Sequence, residues 1–170
     1  MTTARLVPLE ELPSLVGEVF TIDSFRITED EVNTFEDVTG VSYSYRIHAN
    51  DYPDGMIEGF HSLALVDHLS VSLVRPDPKT TFVFNYGANR LRFPSGLTTK
   101  DKLSYRLEVL DVVPRGDGYL LTYDSSITAH GADRPGMRVE WLTAAYPLTA
   151  GTELRSEETV RPTPFQPKVR

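Results

Sequence analysis

The sequence predicts an α+β domain in which a long central helix is wrapped by a curved antiparallel sheet. Three observations predict it. The most hydrophobic segment, Met56–Val74, is long enough for about five helical turns. Four later segments alternate apolar and polar residues in the manner of half-buried antiparallel strands. Because these strands follow the helix in an unbroken run, a single sheet can close over it and share one core.

The elements follow in order. Glu18–Arg26 alternates and reads as an opening strand. Thr28 is a good helix N-cap, and Glu31 three residues later completes a capping box. The stretch EDEVNTFEDVTG is then helical, with Val32, Phe35 and Val38 on one stripe and Gly40 as its stop. Val41–Gly55 is polar, aromatic and broken by Pro53 and Gly55, which is loop chemistry. In Met56–Val74, Ile57, Phe60, Ala64, Leu65 and Leu69 share one face. Leu63, Val66, Leu73 and Val74 cover much of the rest, which predicts a helix buried nearly all round. The RPDP at Arg75–Pro78 ends it. The strands are expected at Thr80–Phe93, Lys102–Val113, Tyr119–Ala129 and Met137–Pro147, separated by the turn-forming PSGLTTKD, PRGDG and HGADRPG. Residues 1–150 are expected to form one domain. Residues 151–170, charged and proline-rich, are expected to be an extended or disordered tail. One helix enclosed by such a sheet is the hotdog architecture.

Composition narrows the chemistry. The 170 residues carry a formal charge of −7, which argues against nucleic acid as the partner. A local cluster can still oppose the global sign, and Arg90 and Arg92 lie close in sequence to Lys100, Lys102 and Arg106. There is no cysteine, so thiolate zinc sites and a cysteine nucleophile are excluded. The four histidines form no metal-ligand pair, and neither metal nor cofactor is expected. No apolar run reaches the roughly 18 residues of a membrane span, and the N-terminus has no signal-peptide layout. A cytoplasmic protein is the expectation.

Two segments resemble the MaoC-like hydratases and dehydratases, especially their NodN-like branch. FEDVTGVSYSYRIHANDYPDGMIEGFHSLALVDHL, at Phe35–Leu69, is similar to a helix ending in T-G-D, a loop carrying I-H-x-D and a central helix opened by I-x-H-G-F. NYGANRLRFPSGL, at Asn85–Leu97, is similar to the N-Y-G-x-x-R-x-R-F-P strand of that family. The resemblance spans roughly residues 15–148. It implies the hotdog fold and the addition or removal of water at a 2-enoyl thioester. A loop Asp and His would handle the water, and a backbone amide at the start of the central helix would receive the thioester oxygen.

Carried over residue by residue, the resemblance is incomplete. Thr39–Gly40 matches T-G, so the Asp position falls on Val41, which cannot bind water. Ile47–His48 matches I-H if the loop has gained two residues, which makes His48 the acid/base candidate. An ordinary loop histidine is the competing reading. Asp51 stands where it can replace the missing carboxylate, or simply forms a turn before Tyr52–Pro53. Gly59 matches the oxyanion-donor glycine, and Phe60 follows it as a substrate-binding candidate. Glu58 replaces the preceding histidine, either as a first-turn carboxylate favoured by the helix dipole or as the base.

Tyr43 and Tyr45 either line the pocket or pack over the helix mouth. Arg90 and Arg92, on one face of an alternating strand, either steer an anionic carrier or are surface arginines. His61 and His68 read as satisfied core or interface histidines, and His130 is assigned nothing. The expected partner is an acyl thioester, on coenzyme A or a carrier protein, or a related polyketide-like substrate. The exposed sheet edge of a lone hotdog further predicts a homodimer, or a heterodimer with a paralogue. The competing function is a non-catalytic acyl-binding subunit of a heterodimeric enzyme.

Overall fold

The computed structural model describes residues 4–41 and 52–148. It contains β1 (Arg5–Val7), a 3-10 helix (Leu9–Leu15), β2 (Val19–Phe25), α1 (Glu29–Thr39), β3 (Met56–Ile57), α2 (Gly59–Leu73) and β4 (Val74–Pro76). There follow β5 (Thr81–Arg92), β6 (Leu97–Thr98), β7 (Leu103–Arg115), β8 (Gly118–Ala129) and β9 (Met137–Pro147). The main sheet has five antiparallel strands in the order β2-β7-β8-β9-β5. α2 packs on its inner side against β2 and β9, as the hotdog expectation requires. The expected tail lies outside the described residues.

The sheet is specified by alternation. Leu103, Leu107 and Val109 of β7, Leu121 and Ile127 of β8, and Met137 and Val139 of β9 have no measurable exposure. Leu12 and Leu15 of the 3-10 helix close one end of this core. One polar chain crosses it. The Tyr105 hydroxyl bonds Ser70 of α2 at 2.7 Å and Ser125 of β8 at 3.2 Å, which ties the helix to the sheet without leaving a buried phenol unpaired. Burial pushes the Tyr105 hydroxyl up to about 12.

α1 forms as its sequence dictates. The Glu31 amide donates to Thr28 Oγ1 at 3.3 Å, and the Thr28 amide donates to the Glu31 carboxylate at 2.7 Å. That reciprocal pair is the capping box, and it holds the Glu31 carboxyl below its usual range. At the other end Gly40 takes φ 73°, a left-handed cap that costs glycine nothing.

Five expectations are corrected. The central helix begins at Gly59 rather than Met56, because Met56–Ile57 pair with Leu97–Thr98 as β3 and β6. It ends at Leu73, since Val74 is extended and starts β4, which runs parallel to β1. PSGLTTKD is therefore more than a turn, and Leu97 within it is buried. α2 is not covered all round: Phe60, Ala64, Asp67, His68 and Ser72 are exposed, because the sheet covers only one of its faces. β5 likewise alternates without burying a face, and residues 82–90 are all exposed. α2 and β5 thus border a common open side of the molecule.

Candidate active site at the N-terminus of the central helix

The start of α2 is built as an anion-receiving end. Glu58, extended at φ −61° and ψ 140°, is the N-cap, and its carboxylate accepts the His61 amide at 3.1 Å. The first helical bond runs from the Ser62 amide to the Glu58 carbonyl at 3.2 Å. The amides of Gly59 and Phe60 are left without a partner among the described residues. Two aligned N–H groups at the positive end of a 15-residue helix favour an oxygen that gains negative charge. Gly59 also satisfies a packing demand. A Cβ there would meet the Phe93 ring at 3.0 Å, so the glycine allows Phe93 to lie over the helix start. Phe60, 60 % exposed, meets Phe93 edge-on at 5.9 Å, and the two rings wall one side of the free amides.

α1 flanks this end. Phe35 stacks on His61 with centroids 4.5 Å apart, and a cleft of about 500 Å³ runs between the helices past Val38, Thr39 and Leu65. Val41 follows the Gly40 cap directly, and residues 42–51 lie outside the described residues. Ahead of α2 stands Gly55, whose φ of 68° and contact with Thr99 Oγ1 exclude a side chain. The Thr99 amide bonds the Gly55 carbonyl at 2.8 Å and fixes the chain there. Gly55 thus lies four residues before Gly59 in the chain, and Thr39 at the end of α1 lines the same cleft as His61.

His61 departs from its expectation. It is buried to 6 % exposure, and among the described residues its Nδ1 has no hydrogen-bond partner, so it is not satisfied there as a core histidine. Burial lowers its pKa, with Glu31 and Glu58 opposing the fall. Glu58 is placed as the cap beside Gly59 and Phe60. Tyr43, Tyr45, His48 and Asp51 lie outside the described residues.

The arginines do not gather. A register shift between Asn89 and Arg92 interrupts the alternation that would set Arg90 and Arg92 on one face, and Arg90 takes φ 51°. Arg90 pairs with Glu140 at 3.2 Å, Arg106 with Glu108 at 2.7 Å, and Lys100 with Asp54 at 3.7 Å. Arg92 donates to the Leu91 carbonyl. The basic cluster read from the sequence is thus largely divided among separate acids. Sequence reasoning gave no role to Phe93, although it stands in the quoted RFP motif, nor to the Phe35–His61 stack. Among the described residues no cluster of His, Asp and Glu is arranged to hold a metal, and no helix is long and apolar enough to cross a membrane.

No family model matches the chain. It is 25% identical over 143 residues to nodulation protein N of Rhizobium leguminosarum bv. viciae, covering 79% of this chain and 89% of that one. It is 26% identical over 137 residues to the 3-hydroxyacyl-thioester dehydratase Z of Mycobacterium tuberculosis, covering 76% and 90%. The fold superposes on the MaoC-like dehydratase of Rhodospirillum rubrum with a TM-score of 0.61 at 18% identity, covering 84% and 98%. The chain has the hotdog fold and is similar in sequence to these proteins. Within that hotdog frame, α2 is the central helix and Gly59 opens it. Val41 directly follows the α1 cap, at the place where the motif resemblance expects an Asp.

Proposed function

We propose that this MaoC-like protein is a hydro-lyase acting on an enoyl or hydroxyacyl thioester, or a related polyketide-like substrate, with a specialised catalytic loop. The observation that carries the reading is the pair of amides at Gly59 and Phe60, unbonded among the described residues, at the start of the central helix. When water adds across the double bond conjugated to a thioester, charge moves onto the carbonyl oxygen. Amides aimed there lower the barrier because they are already oriented. The proton must come from and return to a side chain on the opposite side of the reacting carbons. His48 is the first candidate, with Asp51 and Glu58 next. The 26 % identical dehydratase supports the reaction class. Coenzyme A or a carrier protein would present the thioester, and Tyr43, Tyr45, Phe60, Arg90 and Arg92 remain its candidate contacts.

The open side supports association. β5 is a twelve-residue edge strand carrying exposed Phe82, Val83, Phe84 and Tyr86, and an edge of that length and composition is normally paired. A second copy, or a paralogue, on this edge is part of the proposal.

Val41 favours a second reading, a non-catalytic acyl-binding subunit beside a catalytic paralogue, since valine can neither bind nor orient water. Hydration of 2-enoyl-coenzyme A separates the two. His48→Ala should lower kcat by roughly 10²–10⁴-fold, the range for a removed acid or base, with an unchanged Tm. Full activity in His48→Ala would move the role to Asp51 or Glu58. If the protein is inert alone, and Val41→Asp gains nothing, but it raises the activity of a paralogue, the subunit reading holds.

A further inference from the structure

Between α2 and the inner side of β5 and β9 lie two adjoining cavities. The first, about 370 Å³, is next to Leu63, Ala64 and Val66 in the first half of the helix. The second, about 290 Å³, lies deeper, against Ser70, Thr81, Tyr123 and Thr143. Asp67, Asn85 and Trp141 line both, so the two are continuous along the helix. Counted by helical rise, the deeper one lies roughly 12–17 Å from the Gly59 amide.

The two parts differ chemically. The near part sets the aliphatic Leu63, Ala64, Val66 and Ala88 beside Tyr86 and Trp141. The far part contains a buried hydroxyl without a hydrogen-bond partner among the described residues, beside a buried phenol. Thr143 Oγ1 belongs to a residue only 2 % exposed and has no partner. The Tyr123 hydroxyl is its neighbour, and burial pushes it up to about 12, a rise that Thr143 moderates. The two interact, but their geometry is not that of a hydrogen bond. An unpaired buried hydroxyl is costly, so such groups normally have a partner. The sequence shows the anomaly too. Thr143 occupies an inward position on β9, in series with Val139, Trp141 and Ala145, where an apolar residue would pack as well. Trp141 holds the wall between the two parts. Its ring stacks on Tyr123 at 5.1 Å, and its Nε1 donates to Asn85 Oδ1 at 2.8 Å.

We propose that this trough takes the acyl portion of the substrate, and that its far end selects a chain bearing a neutral oxygen function, hydroxyl or keto, over a plain alkyl chain. The proposal rests on the acyl-thioester reading above and adds the class of acyl group. Tyr123 is assigned as the contact and Thr143 as its positioning residue. The oxygen of the ligand would bond the Tyr123 hydroxyl and give Thr143 Oγ1 the partner it lacks among the described residues.

Trp141 is the only tryptophan of the chain and lines both cavities, so its emission reports occupancy without turnover. The probes are two saturated medium-chain acyl-pantetheine thioesters, identical except for a hydroxyl near the far end of one, and neither can be hydrated. The hydroxylated probe should shift the Trp141 emission and bind about tenfold more tightly, the worth of one net buried hydrogen bond. Thr143→Val and Tyr123→Phe should bring the affinity ratio near one. Equal or weaker binding of the hydroxylated probe to the wild-type protein overturns the proposal, and so does an emission that neither probe moves. If a variant fails to fold, the wild-type ratio alone decides. Selective binding without hydration of any enoyl thioester would remove the hydro-lyase reading and leave the trough. Hydration without selectivity would do the reverse.

Discussion

β8 and β5 are both twelve-residue strands of one sheet, and their surroundings are opposite. β8 lies between β7 and β9, and its inward residues Leu121, Tyr123, Ser125 and Ile127 are all buried. β5 borders only β9, and from Phe82 to Arg90 every residue is exposed although the strand is rich in aromatics. Outward-facing Phe82 and Phe84 stack with Tyr146, at centroid distances between 5.7 and 6.1 Å. Alternation in a sequence therefore announces a strand and its two faces. It does not say whether anything within the same chain covers them. In β8 the cover is internal, whereas in β5 the residues suited to burial are left open among the described residues.

Truncation is the severest test of this contrast. Leu121→Ala removes a fully buried side chain from the middle of β8 and should cost about 2–5 kcal/mol, read as a lower denaturant midpoint at unchanged slope. Phe84→Ala on β5, 45 % exposed before substitution, should cost less than half of that when measured on the monomer. Equal losses at the two positions would show that β5 is as well supported as β8.

The second test concerns association. Phe84→Asp should leave the monomer folded and shift sedimentation from dimer toward monomer at micromolar concentration, because a carboxylate on a joining edge must be desolvated. Wild-type protein that stays monomeric at that concentration would remove the pairing from the proposal.

The contrast also explains what was legible in the sequence. The five strands of the sheet and α1 were readable because their signals are local: alternation, a Thr28–Glu31 capping box, a Gly40 stop. The limits of α2 were not, because the strand-like state of Met56–Ile57 depends on pairing with Leu97–Thr98, some forty residues away in sequence. The openness of α2 and β5 was hidden for the same reason, since composition suits burial whether the cover is internal or not. At the site, Glu58, Gly59 and Phe60 could be placed by motif. The roles of Phe93, Tyr123 and Thr143 arise from tertiary approach. Only the polar residue at an inward strand position, Thr143, left a trace that a sequence reading can find.

The smallest expected effect lies at the junction between the covered and open regions, where His61 sits under α1. Burial lowers its pKa below 6.5 despite Glu31 and Glu58, so the fold binds the neutral ring more readily than the charged one. The sign follows by linkage. Above 6.5 the ring is neutral in both folded and unfolded chains, and its contribution does not change with pH. As pH falls through 6.5 the unfolded chain takes up a proton first, and stability declines until the folded ring is protonated as well. The unpartnered Nδ1 gives the physical reason, since a charged imidazole would bury an N–H with no acceptor. Glu31 adds an acid-side loss of its own, but that loss begins only below its ordinary value of 4.5, because its pKa is lowered by the Thr28 cap. The two windows are therefore separate. His61→Phe keeps an aromatic ring against Phe35 and removes the titration. Thermal unfolding from pH 7.5 to 5 should show the wild-type Tm falling more than that of the variant, with the gap opening below about 6.5 and the other histidines contributing equally to both. Parallel traces over that range would mean that α1 yields enough to hydrate the ring, and that the Phe35–His61 stack is looser than its 4.5 Å spacing indicates.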